Sequence, residues 1–193
     1  MSSKTTIEPT LILTVCTSSF YNIPLILTDN TSNIITMKHI IKYGKSNYKI
    51  RQEVIKVIDD LLNDYKIDTI LLEQNKLFID KIDRYPDPFV LRDILLGFGI
   101  QISIEDKYFN AIKYILQIPE YDWKNKILNR HTTYSIDLYK SHIELRGFDT
   151  ETLSVIDTNN YYKAVCFSEC VEHTPLMNRK YQINKENRTG EEI

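Results

Sequence analysis

The order of the apolar segments constrains the fold of this chain more than any other feature of its sequence. Three apolar, β-branched runs come first, and they predict strands over 11–16, 23–27 and 34–41. Apolar residues then recur at three- and four-residue steps from about Asn47 to Tyr65, which predicts an amphipathic helix. The continuous apolar run from Ile67 to Leu72 predicts a central strand buried on both faces. Three strands, a helix and a buried strand predict an α/β domain with a mixed sheet.

The second half of the chain has weaker patterns. The predicted elements are a helix from Pro86–Pro88 to about Phe98, a strand over 100–104, a helix over 107–117 and a helix over 134–146. A last helix is predicted to begin at Asp157 as its N-cap and to run to about Val171.

Length and composition predict one domain. The chain has 193 residues, of which 42% are hydrophobic, and this is enough for one core. We expect the domain over 1–175 and a polar, flexible tail over 176–193.

No apolar run is long enough for a membrane span and the N-terminus does not resemble a signal peptide, so an intracellular protein is expected. The formal net charge of -2 counts against tight, non-specific DNA binding.

Three short segments carry a family resemblance. The run from Ile67 to Gln74, with Glu73 near its end, resembles a strand of the RuvC-type Holliday junction resolvases, above all those of poxviruses and other large DNA viruses. The segment that holds Asp157 and Asn160 is similar to the closing motif of that family, in which two aspartates stand three residues apart before an apolar helix. The segment from His173 to Lys180 resembles the Pro-Asn-Arg tail of the viral members.

The resemblance implies an RNase H-like mixed β-sheet flanked by helices, and a site in which carboxylates bind two Mg²⁺ ions for phosphodiester cleavage. This chain departs from that pattern at two positions. Cys16 stands where the first strand is expected to end in aspartate, and Asn160 replaces the final aspartate. Glu73 and Asp157 remain as the candidate catalytic and metal-binding residues, and Cys16 and Asn160 mark degenerate positions.

Each candidate also has a purely structural interpretation. Glu73 can be a polar residue that ends a strand, and Asp157 can serve only as a helix cap. Cys16 is more simply a buried thiol than a nucleophile, and Cys166 with Cys170 is more simply a core pair than half of a zinc site.

Basic and aromatic residues in the second half predict a nucleic-acid-binding surface. One group surrounds the single tryptophan and another lies in the tail: Trp123, Lys124, Lys126, Arg130, Lys140, Arg179 and Lys180. The alternative is a solvated loop around a half-buried tryptophan and a disordered tail.

Two functional hypotheses follow. The first is a resolvase-like protein that acts on or around branched DNA, as a Mg²⁺-dependent endonuclease if it is active and with impaired cleavage if it is not. The second is a non-catalytic subunit of a viral replication, packaging or transcription complex, which needs no cofactor. The resemblance implies a homodimer, and a heteromeric protein partner is the alternative. No membrane partner is expected, and we expect the protein inside the cell, in the host cytoplasm or a viral factory, and not secreted.

Overall fold

A computed structural model describes residues 10–17, 22–30, 33–74, 88–119, 122–124, 141 and 155–169, with the backbone alone for 74, 90 and 155–161. Five strands form one sheet in the order β3-β2-β1-β4-β5. They are β1 (Leu11–Val15), β2 (Asn22–Thr28), β3 (Ile34–Ile41), β4 (Ile67–Gln74) and β5 (Tyr114–Pro119). The helices are α1 (Asn47–Asp64), α2 (Pro88–Tyr108) and α3 (Val155–Ser168).

The sheet is mixed. β1, β2 and β3 form an antiparallel meander, whereas β1 pairs with β4 and β4 with β5 in parallel. The strands β1, β3, β4 and β5 therefore all end at one edge, which we call the carboxyl rim. The predicted α/β class, a mixed sheet flanked by helices, is confirmed.

Helices cover both faces of the sheet. On one face, α1 and α2 enclose a core to which the sheet contributes Leu13, Val15, Leu25, Ile70 and Leu72. On the other face, α3 and the segment 122–124 pack over Ile12, Cys16, Ile26, Leu71 and Leu116. Successive strand residues point to opposite faces, so neighbours such as Leu71 and Leu72 enter different cores. None of the helices within the described ranges is long and apolar enough to cross a membrane.

The first half of the chain matches the sequence predictions closely. β3 has the predicted bounds, and α1 begins at Asn47 behind an N-cap, where the Ser46 side chain accepts a hydrogen bond from the Lys49 backbone N–H at 3.3 Å. The turn between them contains Gly44 at φ 71°, a conformation that glycine adopts without steric cost.

The helix predicted from Pro86–Pro88 to about Phe98 is confirmed as the first part of α2, but the two elements predicted after it are wrong. The predicted strand over 100–104 belongs to α2, and the predicted helix over 107–117 is replaced by a turn and β5. The alternation of isoleucines suggested a strand, but Ile100 and Ile104 are also four apart and share the buried face of a helix, while Ile102 is exposed. The predicted helix over 134–146 and the boundary at 175 lie outside the described residues, except for the helical Ser141.

The predicted start of the last helix is also wrong. α3 already includes Val155, so Asp157 lies inside the helix and is not its N-cap.

Tyr108, at the end of α2, joins that helix to α1. Its hydroxyl donates to Asp59 Oδ1 at 2.9 Å and lies 3.0 Å from the Ile55 carbonyl oxygen. Burial raises the pKa of Asp59, but the hydrogen bonds from Lys107 and Tyr108 outweigh burial and the net pKa is lowered. A carboxylate with a lowered pKa stabilises the fold above the pKa of the unfolded chain and loses that contribution as pH falls through the folded value.

We expect Tyr108→Phe to lower the free energy of unfolding by about 1 kcal/mol, because one partly buried hydrogen bond is removed. Urea denaturation at neutral pH measures this, and Tyr114→Phe serves as the control because Tyr114 is 37% exposed. The loss should shrink in acid, where Asp59 is protonated. A Tyr108→Phe variant as stable as the wild type would contradict the assignment of this contact.

Candidate functional site

Glu73 is the charged side chain at the centre of the carboxyl rim. It is the seventh residue of β4, and the alternation along that strand places it on the same face as Leu71, beneath α3. The side chain of Glu73 has 0% exposure. A carboxylate is seldom buried to this degree without partners, because its charge loses the solvation of water.

Two donors from distant parts of the chain satisfy this carboxylate. The Trp123 indole Nε1–H donates to Glu73 Oε1 at 3.1 Å. The Lys163 ammonium from α3 donates to Oε2 at 3.1 Å and lies 3.0 Å from Oε1. Both carboxylate oxygens therefore contact a protein donor, and the charge of Glu73 is balanced by Lys163, whose side chain is 11% exposed.

The surroundings of this ion pair are apolar and closely packed. The Trp123 ring lies against Phe167, with ring centroids 5.3 Å apart at an angle of 40°. Phe167 follows Lys163 by four residues on α3, so one face of that helix supplies both the ammonium and the aromatic contact. The packing of α3 on the sheet thus positions Lys163 toward Glu73.

The parallel pairing of β1 with β4 brings the end of β1 to the same place. Val15 is in register with Leu72, so the next residues, Cys16 and Glu73, are neighbours across the two strands. Cys16 is fully buried, and the Thr17 hydroxyl donates to the Glu73 carbonyl oxygen at 3.4 Å. The position at which the resemblance implies an aspartate is therefore beside Glu73, and a thiol occupies it.

The helix with the other predicted site residues covers this face of the sheet. Asn160 and Asp157 precede Lys163 by three and six residues, about one and two turns along α3. The elements that carry Glu73 and Asp157 are therefore on the same side of the sheet. The side chains of Asp157 and Asn160 lie outside the described part, and their role as ligands stays a prediction.

The described side chains do not fit the Mg²⁺ ions that the resemblance implies. Mg²⁺ needs carboxylate oxygens and water in octahedral geometry. Glu73 presents its two oxygens to an ammonium and an indole N–H, and its neighbour on β1 is Cys16. Among the described side chains, no three His, Cys, Asp or Glu residues cluster as a metal site.

Two members of the predicted nucleic-acid-binding surface are buried instead. Trp123 has 0% exposure and Lys124 has 4%, so neither side chain is available for stacking on a base or for a phosphate in this structure. The physical reason is the hydrogen bond to Glu73 and the packing on Phe167, which draw Trp123 into the core. The other members, Lys126, Arg130, Lys140, Arg179 and Lys180, lie outside the described residues.

Sequence reasoning missed Lys163. The available signal was a lysine within the otherwise apolar run from Tyr162 to Phe167, where a charge needs a partner. Its partner lies 90 positions earlier in the chain, so local pattern could not name it.

We expect Lys163→Met to lower the free energy of unfolding by about 3–5 kcal/mol, because it leaves the Glu73 carboxylate buried without its cation. The double variant Glu73→Gln/Lys163→Met should recover most of this loss, because it removes both charges. Urea denaturation of the single and double variants measures the coupling between the two residues.

Lys107→Met is the matched control, since Lys107 pairs with Asp59 at the surface and its loss should cost less than about 1 kcal/mol. Equal losses for Lys163→Met and the double variant would show that the two charges are not coupled.

The comparisons with known proteins support the fold. The structure of Thermus thermophilus RuvC superposes with a TM-score of 0.51 at 7% identity, covering 86% of this chain and 97% of that chain. The T. thermophilus RuvC structure in complex with a Holliday junction substrate superposes with a TM-score of 0.57 at 5% identity, covering 85% and 96%. No family model and no curated protein matches the sequence. The chain is thus similar to RuvC in fold, an RNase H-like mixed sheet between helices.

Proposed function

We propose that this chain is a resolvase-like protein that acts on or around branched DNA, with impaired or absent metal-dependent phosphodiester cleavage. The observation that carries the proposal is the buried ion pair between Glu73 and Lys163 at the carboxyl rim. The setting proposed with it is viral DNA metabolism inside a host cell, with the protein as a dimer.

The proposed impairment of cleavage follows from the charges around Glu73. Two-metal cleavage places two divalent cations about 3.5–4 Å apart, and several carboxylates must neutralise them. Here an ammonium already contacts the central carboxylate, and Cys16 supplies no oxygen ligand beside it. A cation that approached Glu73 would have to displace Lys163 and would meet its positive charge.

The preference for branched DNA rests on the likeness in fold to a RuvC structure in complex with a Holliday junction. The low net charge of -2 is compatible with binding that depends on shape and on a few local contacts rather than on a large basic surface.

We expect the purified protein to bind a labelled four-way junction more tightly than a linear duplex of the same length and sequence content. We also expect no nicking of the junction with Mg²⁺ or Mn²⁺. Gel shift in the absence of metal measures binding, and denaturing electrophoresis after incubation with metal measures cleavage.

Glu73→Gln is the variant that separates intrinsic activity from a contaminant. Nicking by the wild type that disappears in Glu73→Gln would refute the proposed loss of cleavage, whereas nicking that persists unchanged comes from another nuclease. Equal affinity for junction and duplex would refute the preference for branched DNA.

A second candidate function is that of a non-catalytic subunit of a viral replication, packaging or transcription complex. The observation that favours it is an apolar stripe on the outer face of α2, where Leu91, Leu95 and Ile102 are 41%, 56% and 54% exposed. These residues are separated by four and seven positions, so they lie on one side of the helix. A stripe of this kind is typical of a surface that another protein covers.

Leu95→Glu should abolish association through this stripe, because a charge cannot be buried in an apolar contact without a large cost. Sedimentation equilibrium of the wild type and the variant measures self-association. If the Leu95→Glu variant is monomeric and still binds the junction as the wild type does, DNA binding and self-association are separate functions. If the wild type is monomeric at all concentrations, the stripe does not mediate self-association.

A further inference from the structure

A groove of about 400 Å³ lies between α1 and α2, the helices that cover the face of the sheet opposite Glu73. Its volume is within the range of sites for small ligands. The proposed site around Glu73 does not account for this groove, because none of that site's residues lines it. The polar part of its lining consists of Tyr48, Arg51, Gln52, Lys56 and Asp59 on α1 and Ser103 on α2.

Arg51 reaches from α1 to α2 in this groove, and a glycine makes room for its side chain. A Cβ atom at position 99 would lie 2.8 Å from Arg51 Cδ and 3.2 Å from Arg51 Nη1, closer than a real Cβ atom packs. Glycine inside a helix costs about 1 kcal/mol relative to alanine. Gly99 lies inside α2, so the close approach of the Arg51 guanidinium is combined with a loss of helix stability.

The Arg51 guanidinium has donors to spare. It is partly buried, and it forms no hydrogen bond or ion pair with any residue that the structure describes. A guanidinium carries five N–H donors, and partial burial removes some of the water that would otherwise accept their hydrogen bonds. An acceptor from outside the chain would satisfy them.

Two further donors line the groove. The Lys56 ammonium also lacks a hydrogen bond or ion pair within the described part of the chain. The Tyr48 hydroxyl accepts a hydrogen bond from Gln52 Nε2 at 2.6 Å, which leaves its own proton available to donate. Gln52 therefore holds the Tyr48 hydroxyl in place as a donor.

The carboxylate in the lining, Asp59, is already balanced. The Lys107 ammonium lies 2.6 Å from Asp59 Oδ2, and the Tyr108 hydroxyl donates to Oδ1 at 2.9 Å. Arg51 and Lys56 are thus two positive charges without a counter-charge among the described residues.

We propose that this groove binds a terminal phosphate monoester, with the Arg51 guanidinium on two of its oxygens and with Lys56 and Tyr48 as additional donors. The planar fork of arginine matches two phosphate oxygens, and a phosphate presents several acceptors at once. A phosphate monoester carries a charge of about -1.5 to -2 at neutral pH, which two cations balance. A carboxylate or an internal DNA phosphodiester carries one charge and would balance only one of them. The monoester can belong to a free nucleotide or to a phosphorylated end of DNA.

The first test is a titration with inorganic phosphate, followed by the backbone amide NMR signals of α1. Acetate is the matched anion with one charge and should bind more weakly. Two pairs of probes then identify the source of the monoester. Calorimetry compares adenosine 5′-monophosphate with adenosine, and fluorescence anisotropy compares a labelled duplex that carries a 5′-phosphate with the same duplex without it.

Three substitutions locate the binding. Arg51→Met should weaken phosphate binding at least about tenfold, because charge-assisted hydrogen bonds are lost. Gly99→Ala keeps every charge but displaces the flexible Arg51 side chain, so it should also weaken binding without lowering the stability in urea. Lys49→Met is the matched control, since Lys49 is an exposed cation of α1 that does not line the groove, and it should change the affinity less than about twofold.

Several results would overturn the inference. They are no binding of phosphate by the wild type, acetate bound as tightly as phosphate, equal effects of Arg51→Met and Lys49→Met, or an unchanged affinity in Gly99→Ala. Binding of the inorganic ion with no Arg51-dependent preference for either phosphorylated probe would also reject the site.

The inference does not rest on the proposed function, because phosphate and nucleotide binding are measured without DNA. Junction and duplex binding are measured on the same variants. Loss of the phosphate site with junction preference retained rejects only the groove, and Arg51-dependent phosphate binding without junction preference rejects only the proposed action on branched DNA.

Discussion

The parallel pairing of β1 with β4 is the constraint on which the other features of the molecule depend. It joins the antiparallel meander to the parallel half of the sheet, and it brings the end of β1 to the end of β4. Cys16 and Glu73 become neighbours for this reason alone, although 56 residues separate them in sequence. Because the strands β1, β3, β4 and β5 all end at this edge, the residues that follow them also collect there, including Lys42. The surroundings of Glu73 and the position of Lys42 at the same edge therefore follow from one topology.

A buried carboxylate such as Glu73 can be balanced by a divalent ion or by the ammonium of a lysine, and in this chain it contacts a lysine. A divalent ion would draw on several carboxylates and would leave positions open for water and substrate. Lys163 instead supplies a single positive charge on a side chain that belongs to the core, with Trp123 as a second donor. Such an arrangement excludes water and holds α3 on the sheet. In this sense the centre of the rim is a packing element.

Strong local patterns account for what could be predicted from the sequence. The bounds of β3, the helix α1 and the position of Glu73 near the end of a buried strand follow from alternation, helical spacing and a continuous apolar run. The predictions failed where one pattern fits two structures. Ile100, Ile102 and Ile104 alternate as the residues of a strand do. In the folded chain, Ile100 and Ile104 pack with Leu96 against the sheet, and this packing is possible because the segment is helical.

The contacts of Glu73 could not be predicted for a different reason. Lys163 and Trp123 reach it only after the chain has folded, and their hydrogen bonds span 90 and 50 residues. The periodicity of apolar residues indicates helices and strands, but it does not indicate which distant side chains form hydrogen bonds with each other.

The burial of Lys163 has a consequence for substitutions at this site. An aspartate introduced at position 16 or 160 would not by itself make a metal centre, because the Lys163 ammonium already contacts the Glu73 carboxylate. Removing the lysine would leave that carboxylate buried without its cation and would weaken the core. A metal centre beside Glu73 therefore requires several simultaneous substitutions rather than a series of single ones that each preserve the fold.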